Sequence, residues 1–281
     1  MLNTNQLQQC IIWACEQEVS APKPGNVNCF SDGHNMAVQN FIDSAHAIAP
    51  ILAQTNSNVG EMILQAITAT RTVVNCNTNL GIVLLFAPLC IAIQNCQKFE
   101  QLSHQLKKVL ENLTIDDAKK CYQAIRLAEA GGLSEYEQQD INSSPTVTLR
   151  EAMALAQDRD TIAAQYLNNY HEIFHIGRPN FITAINSGEN VEWASAFAYL
   201  KLLSNIPDSL ICRKQGLECA RRIMEEAKKI SDKVTDNNHL SGFEAVIIQW
   251  DNKLKLKAIN PGTTADLTAA TLLIYAFEGA F

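Results

Sequence analysis

The sequence predicts an all-α protein, a compact multi-helix bundle forming a single domain over residues 1–281. Three observations point there. Apolar residues recur three and four apart through long stretches, the spacing of one helix face. Gly and Pro number only 12 and 8, too few for the tight turns that many strands require. Hydrophobic residues make up 47% and charged residues 18% of the chain, a composition that buries a large core and argues against disorder.

In chain order, Leu7, Cys10, Ile11, Ala14 and Cys15 trace the inner face of a first helix. Further helices are expected at about 37–54, 58–75, 79–95, 98–111, 115–130, 148–175, 189–204, 209–230 and 263–280. Thr148 with Glu151 has capping-box spacing, and Asn186 before Glu189 approximates it. The most apolar run, Leu80 to Ile93, contains Pro88 and is short for a bilayer crossing, so a buried helix is expected and no membrane contact. The segment from Phe243 to Lys257 stays open, because VIIQW and LKLKA can be extended while their flanks read as helical. No repeat and no Pro-, Gly- or Ser-rich linker divides the chain, which favours one domain.

The formal charge of −7 provides no global positive field for a nucleic-acid backbone, although clustered cations can still hold a small anion. The nine cysteines include no C-x-x-C pair, so neither a disulfide framework nor a zinc knuckle is expected. With no secretory signal in MLNTNQLQQ, the expected location is the cytoplasm. Apolar helix faces left over from the core would allow two copies to pair as a homodimer.

Five irregular segments gather polar residues on what should be loops. In EVSAPKPGNVN, Pro22 and Pro24 stop a helix and Gly25 permits close backbone approach, which would display Lys23 to a phosphate or simply to solvent. In NCNTNLG, Asn77, Thr78 and Asn79 either present donors to an anion at a helix start or cap that helix. In EAGGLSEYEQQD, Glu135 and Glu137 stand among carboxylates able to hold magnesium, or form a solvated acidic loop. In PDSLICRKQG, Asp208 and Ser209 can cap a helix while Arg213 and Lys214 reach an anion. In NPGTTAD, Thr263 and Asp266 have capping-box spacing beside Gly262.

Taken in this order, the segments resemble the triphosphoribosyl-dephospho-CoA synthase family, ATP:dephospho-CoA triphosphoribosyltransferases. EVSAPKPG is similar to the family's E-V-S/T…P-K-P-G opening at Glu18, Val19, Ser20, Lys23, Pro24 and Gly25. PDSLICR is similar to its D-S/T-N-x-x-x-R segment at Asp208, Ser209 and, nearly in register, Arg213. NPGTTADL resembles its S-P-G…A-D-L close at Pro261, Gly262, Ala265, Asp266 and Leu267. The chain departs where the family has N-T-H-K-G, carrying Asn77, Thr78, Asn79, Leu80 and Gly81, and where it has R-G-E-A-E, keeping Glu135 and Glu137 without the arginine. The resemblance therefore implies a divergent member.

It implies an all-helical fold and a magnesium-dependent transfer of the triphosphoribosyl group of ATP, the donor substrate, to dephospho-CoA with release of adenine. It further implies Glu135, Asp208 and Asp266 as catalytic carboxylates and Glu135, Glu137 and Asp266 as metal ligands. Ser20, Lys23, Pro24, Gly25, Asn77, Thr78, Asn79, Ser209, Arg213, Lys214 and Gly262 would line the substrate site. A divergent member acting on another phosphorylated metabolite, or a non-catalytic helical binding protein, is the alternative.

Overall fold

The computed structural model describes residues 2–33, 36–129, 143–237 and 239–280. It is all-α: fourteen α-helices and no strand among the described residues. They are α1 (Thr4–Ser20), α2 (Val38–Leu52), α3 (Val59–Val73), α4 (Leu80–Gln94), α5 (Leu102–Glu111), α6 (Ile115–Ala128), α7 (Leu149–Ala154), α8 (Thr161–Asn168), α9 (Arg178–Asn186), α10 (Val191–Asn205), α11 (Ser209–Gln215), α12 (Leu217–Asn237), α13 (Glu244–Leu256) and α14 (Gly262–Gly279).

Most expected helices lie within a few residues of these bounds, and three differences have local causes. The span 148–175 is not one helix. Asp160 accepts from the N–H groups of Ile162 and Ala163 and so starts α8, and Asn169 in the left-handed region ends it. A π-helical turn at Ile173–Gly177 then leads into α9, which the sequence reading did not anticipate. The span 209–230 breaks at Gly216, whose φ of +87° suits glycine and separates α11 from α12. The open segment 243–257 is helical as α13, because Ile247, Trp250, Asp251 and Leu254 bury one stripe. The Thr148–Glu151 capping box forms as expected. At α10, Asn190 caps by accepting from Trp193 N–H, in place of the expected Asn186 and Glu189.

The chain forms two compact units. The first comprises Met1–Trp13, Asn40–Tyr170 and Leu273–Phe281, and the second Ala14–Gln39 and His171–Leu272, so α1 and α14 contribute to both.

The first unit is organised on α4, which is buried over almost its whole length and packs against α3 and α5. Pro88 inside α4 lacks the N–H that would bond the Leu84 carbonyl, which a dry core cannot leave unpaired. The buried Tyr166 hydroxyl donates to that carbonyl at 2.6 Å, and the Tyr170 hydroxyl donates to the next one, Leu85, at 3.0 Å. Against α3 packs α6, close enough that a Cβ on Gly60 would lie 2.5 Å from the Asp117 Cα. Asp117 accepts the Gly60 N–H at 2.8 Å while completing the Thr114 capping box at the start of α6.

The second unit is organised on α10, buried from Ala194 to Leu203 except at Lys201 and packed against α9 and α12, with α11 also on α12. Its irregular segments carry most of the motif residues.

Tyr166→Phe should keep the helical content but orphan the Leu84 carbonyl. The expected loss is about 1–3 kcal/mol in urea denaturation. An unchanged midpoint would show that the hydroxyl is not the carbonyl's working partner.

Candidate functional site

Three of the five motif segments meet within the second unit. The loop after α1 follows from its residues: Pro22 and Pro24 forbid helix, and Gly25 adopts φ +83°. A Cβ on Gly25 would lie 2.9 Å from both the Ile259 carbonyl oxygen and Pro261 Cδ, so only glycine fits this approach to the NPGTT segment. Asn26 donates to the Asn260 side chain at 2.9 Å, joining residues 234 apart in the chain.

Lys23 is not displayed, contrary to expectation. It is fully buried, with its ammonium 2.8 Å from the Glu18 carboxylate, 3.1 Å from the Val27 carbonyl, and also donating to the Glu18 carbonyl. The turn folds the side chain back over the end of α1 instead of projecting it. Burial lowers the Lys23 pKa and raises that of Glu18, and each partner's charge opposes the other's shift. The ammonium organises the loop from within. Ser20, the last residue of α1, is half-buried, and the Pro24 carbonyl accepts from the buried Tyr199 hydroxyl at 2.8 Å.

The Gly25 N–H is likewise taken: it donates to the Asp251 carboxylate at 2.7 Å. Asp251, buried on α13, also accepts from Asn28 at 3.2 Å, Ser31 at 3.1 Å and Lys255 at 2.9 Å, so one carboxylate holds the whole loop. Sequence reading missed it. The signal available was an Asp and a Lys four apart, which share a helix face, but the segment's period was ambiguous.

Asp208 and Ser209 bind the same NPGTT segment from the other direction. One Asp208 oxygen accepts from the N–H groups of Leu210 and Ile211 at 2.9 and 3.0 Å, which caps α11. Its other oxygen accepts from the Thr264 N–H and hydroxyl at 2.7 and 2.8 Å, in the first turn of α14. Ser209 and Thr263 hydroxyls pair at 3.0 Å. A Cβ on Gly262 would lie 2.6 Å from Leu210 Cδ2, so this glycine serves close packing. The expected Thr263–Asp266 cap gives way to this arrangement: α14 begins at Gly262, one residue before Thr263, and Asp208 supplies the acceptor from outside.

Asp266 is half-buried, the fifth residue of α14. Arg213 and Lys214 occupy the last turn of α11, the first half-buried and the second exposed. Asn77, Thr78 and Asn79 belong to the first unit, where their side chains are used internally. Asn77 accepts from Leu80 N–H at 3.1 Å, Thr78 pairs with Ser44 at 2.7 Å, and Asn79 pairs with Thr70 at 3.0 Å. These contacts fix the start of α4. Glu135 and Glu137 lie outside the described residues.

Among the described residues no three His, Cys, Asp or Glu side chains gather as a metal cluster. No helix among them is long and apolar enough to cross a membrane.

A family model described as CitG, ATP:dephospho-CoA triphosphoribosyl transferase, matches residues 4–281. The probable 2-(5''-triphosphoribosyl)-3'-dephosphocoenzyme-A synthase of Vibrio cholerae serotype O1 is 24% identical over 283 residues. That match, found in strains M66-2 and ATCC 39315 / El Tor Inaba N16961, covers 90% of this chain and 82% of the relative. A crystal structure of an Archaeoglobus fulgidus protein assigned by name to triphosphoribosyl-dephospho-CoA synthase has a similar fold. Its TM-score is 0.65 at 24% identity, covering 85% of this chain and 99% of that one.

Burial pushes the Asp208 carboxyl above its ordinary value of 3.8, so the folded state holds this proton more tightly than the unfolded chain does. The resulting contribution to stability is full below 3.8 and is lost as pH rises through the raised value. Asp208→Asn removes the titration. The stability advantage of wild type over this variant should therefore shrink as pH rises above 3.8 in denaturant titrations. An advantage that grows with pH would show that the four donors outweigh burial.

Proposed function

The chain belongs to the CitG family of ATP:dephospho-CoA triphosphoribosyl transferases, and on that premise we propose that it moves the triphosphoribosyl group of ATP to dephospho-CoA with release of adenine. It is a transferase of the triphosphoribosyl-dephospho-CoA synthase kind. The observation that supports the finer reading is the meeting of three motif segments at residues 259–264, with Asp266 two residues further along α14.

In the proposed reaction the bond between the ribose anomeric carbon and adenine breaks, and that carbon joins a hydroxyl of dephospho-CoA. The hydroxyl proton passes to a carboxylate, and adenine leaves with a proton. The sugar centre becomes cation-like on the way, which a nearby carboxylate stabilises. Asp266 is the described residue we assign to this work. Asp208 was expected to share it, but its two oxygens already accept four donors, so we assign it to positioning: it sets where α14 starts and therefore where Asp266 stands.

Arg213 and Lys214 are the cations assigned to the polyphosphate, together with the backbone around Gly262. Lys23, Pro24, Gly25, Ser20 and Ser209 are assigned to shaping that backbone, given their internal partners. Asn77, Thr78 and Asn79 keep at most an indirect part, through the start of α4.

Magnesium fits the donor chemistry of the chain. This ion is usually held by one or two carboxylates with waters and substrate phosphates, so a ready-made protein cage is not required. Asp266, Glu135 and Glu137 are the ligands we assign, the last two on motif grounds alone. When bound, the ion would neutralise triphosphate charge.

The test is chromatographic detection of free adenine from ATP. Adenine should appear only with dephospho-CoA present, and EDTA should stop it. Asp266→Asn should lower kcat by roughly 100-fold or more with unchanged circular dichroism. Adenine release without dephospho-CoA, or full turnover by the variant, would overturn the respective assignment.

A further inference from the structure

Outside the motif segments, the second unit carries a pair of histidines that the proposed transfer does not use. His171, Glu172, Ile173, Phe174 and His175 have the H-E-x-x-H spacing, which places two imidazoles one helical turn apart on one face. Both histidines are exposed, and their rings lie stacked with centroids 4.3 Å apart and planes inclined by 23°. His175 Nδ1 is 2.9 Å from the His171 carbonyl oxygen. A carbonyl only accepts, so Nδ1 carries the proton and donates. A neutral ring bonded in this way has Nε2 unprotonated, the form in which an imidazole binds a metal. The backbone thus fixes the ligand tautomer of one histidine, and the turn places the second beside it.

The local backbone supports the arrangement. The π-helical turn Ile173–Gly177 begins between the two histidines, and such turns often mark functional positions. Gly177 closes the turn against α14, where a Cβ would lie 2.1 Å from Thr271 Oγ1, and Ile173 is buried. The pair is therefore anchored at its base and exposed at its tips.

The geometry points to a surface site for a borderline-soft divalent transition metal, zinc above all, held by His171 and His175. Zinc–nitrogen bonds of about 2.0–2.1 Å place two nitrogens on a tetrahedral ion within reach of rings stacked this closely, after a modest turn about the soft χ2 torsion. With no third His, Cys, Asp or Glu joining them among the described residues, the remaining positions would take water. The site is separate in chemistry from the proposed magnesium binding, which uses oxygen ligands.

The test uses the full-length, untagged protein and does not depend on transferase activity. Cobalt(II), as a spectroscopic stand-in for zinc, should give visible d–d absorption saturating at one ion per chain, and zinc should abolish it by competition. Zinc should also raise the melting temperature, since it binds the native state. His171→Gln and His175→Gln should each weaken zinc binding by at least about tenfold, the loss that removing even an outer-shell partner produces. Glu172→Gln, which changes no ligand, should retain it. Absence of cobalt absorption and zinc binding in wild type would overturn the site, as would undiminished affinity in the histidine variants.

Discussion

The arrangement of the second unit depends on one buried carboxylate serving two helices. Helix starts expose N–H groups with no partner of their own, and Asp208 supplies an acceptor both to α11, which it precedes, and to α14, more than fifty residues later. Burial alone would favour the protonated acid, so the four donors must offset that cost for the charged form to persist. The consequence is spatial. The residue that begins one motif dictates where another begins, and Asp266 inherits its place from that constraint.

Asp251 applies the same logic to the loop after α1. Its oxygens gather a backbone N–H, an amide, a hydroxyl and an ammonium, all within one irregular stretch and its own helix. The buried Lys23–Glu18 pair secures the other side of that loop. Two polar clusters therefore hold a segment that proline prevents from forming helix, and glycine allows it to lie flush against Ile259 and Pro261. The P-K-P-G string reads physically as a self-bracing turn.

Much of the fold was legible because helical periodicity is a local signal. The failures came where a single residue overrode the period, as at Asp160, Asn169 and Gly216, or where polar and apolar alternation masked a buried stripe, as at Ile247, Trp250 and Leu254. The candidate site was legible as a set of motifs but not as a set of roles. Whether Lys23 points outward or is folded inward depends on Glu18 and Val27, and whether Asp208 is free to accept a proton depends on Thr264. Such pairings are tertiary facts that no spacing rule encodes. The H-E-x-x-H string was readable from the outset, but its meaning depends on which nitrogen carries the proton, and only the fold reveals that.

The two tyrosines that bond α4, Tyr166 and Tyr170, carry a further implication. A rod with greasy residues on every side has little reason to prefer one rotation or height over another, since sliding it by a turn exchanges one hydrocarbon contact for its equal. Hydroxyls aimed at the successive carbonyls of Leu84 and Leu85 act as index pins. By leaving a carbonyl vacant, Pro88 turns a packing defect into the keyway that sets the axial registration of the first unit.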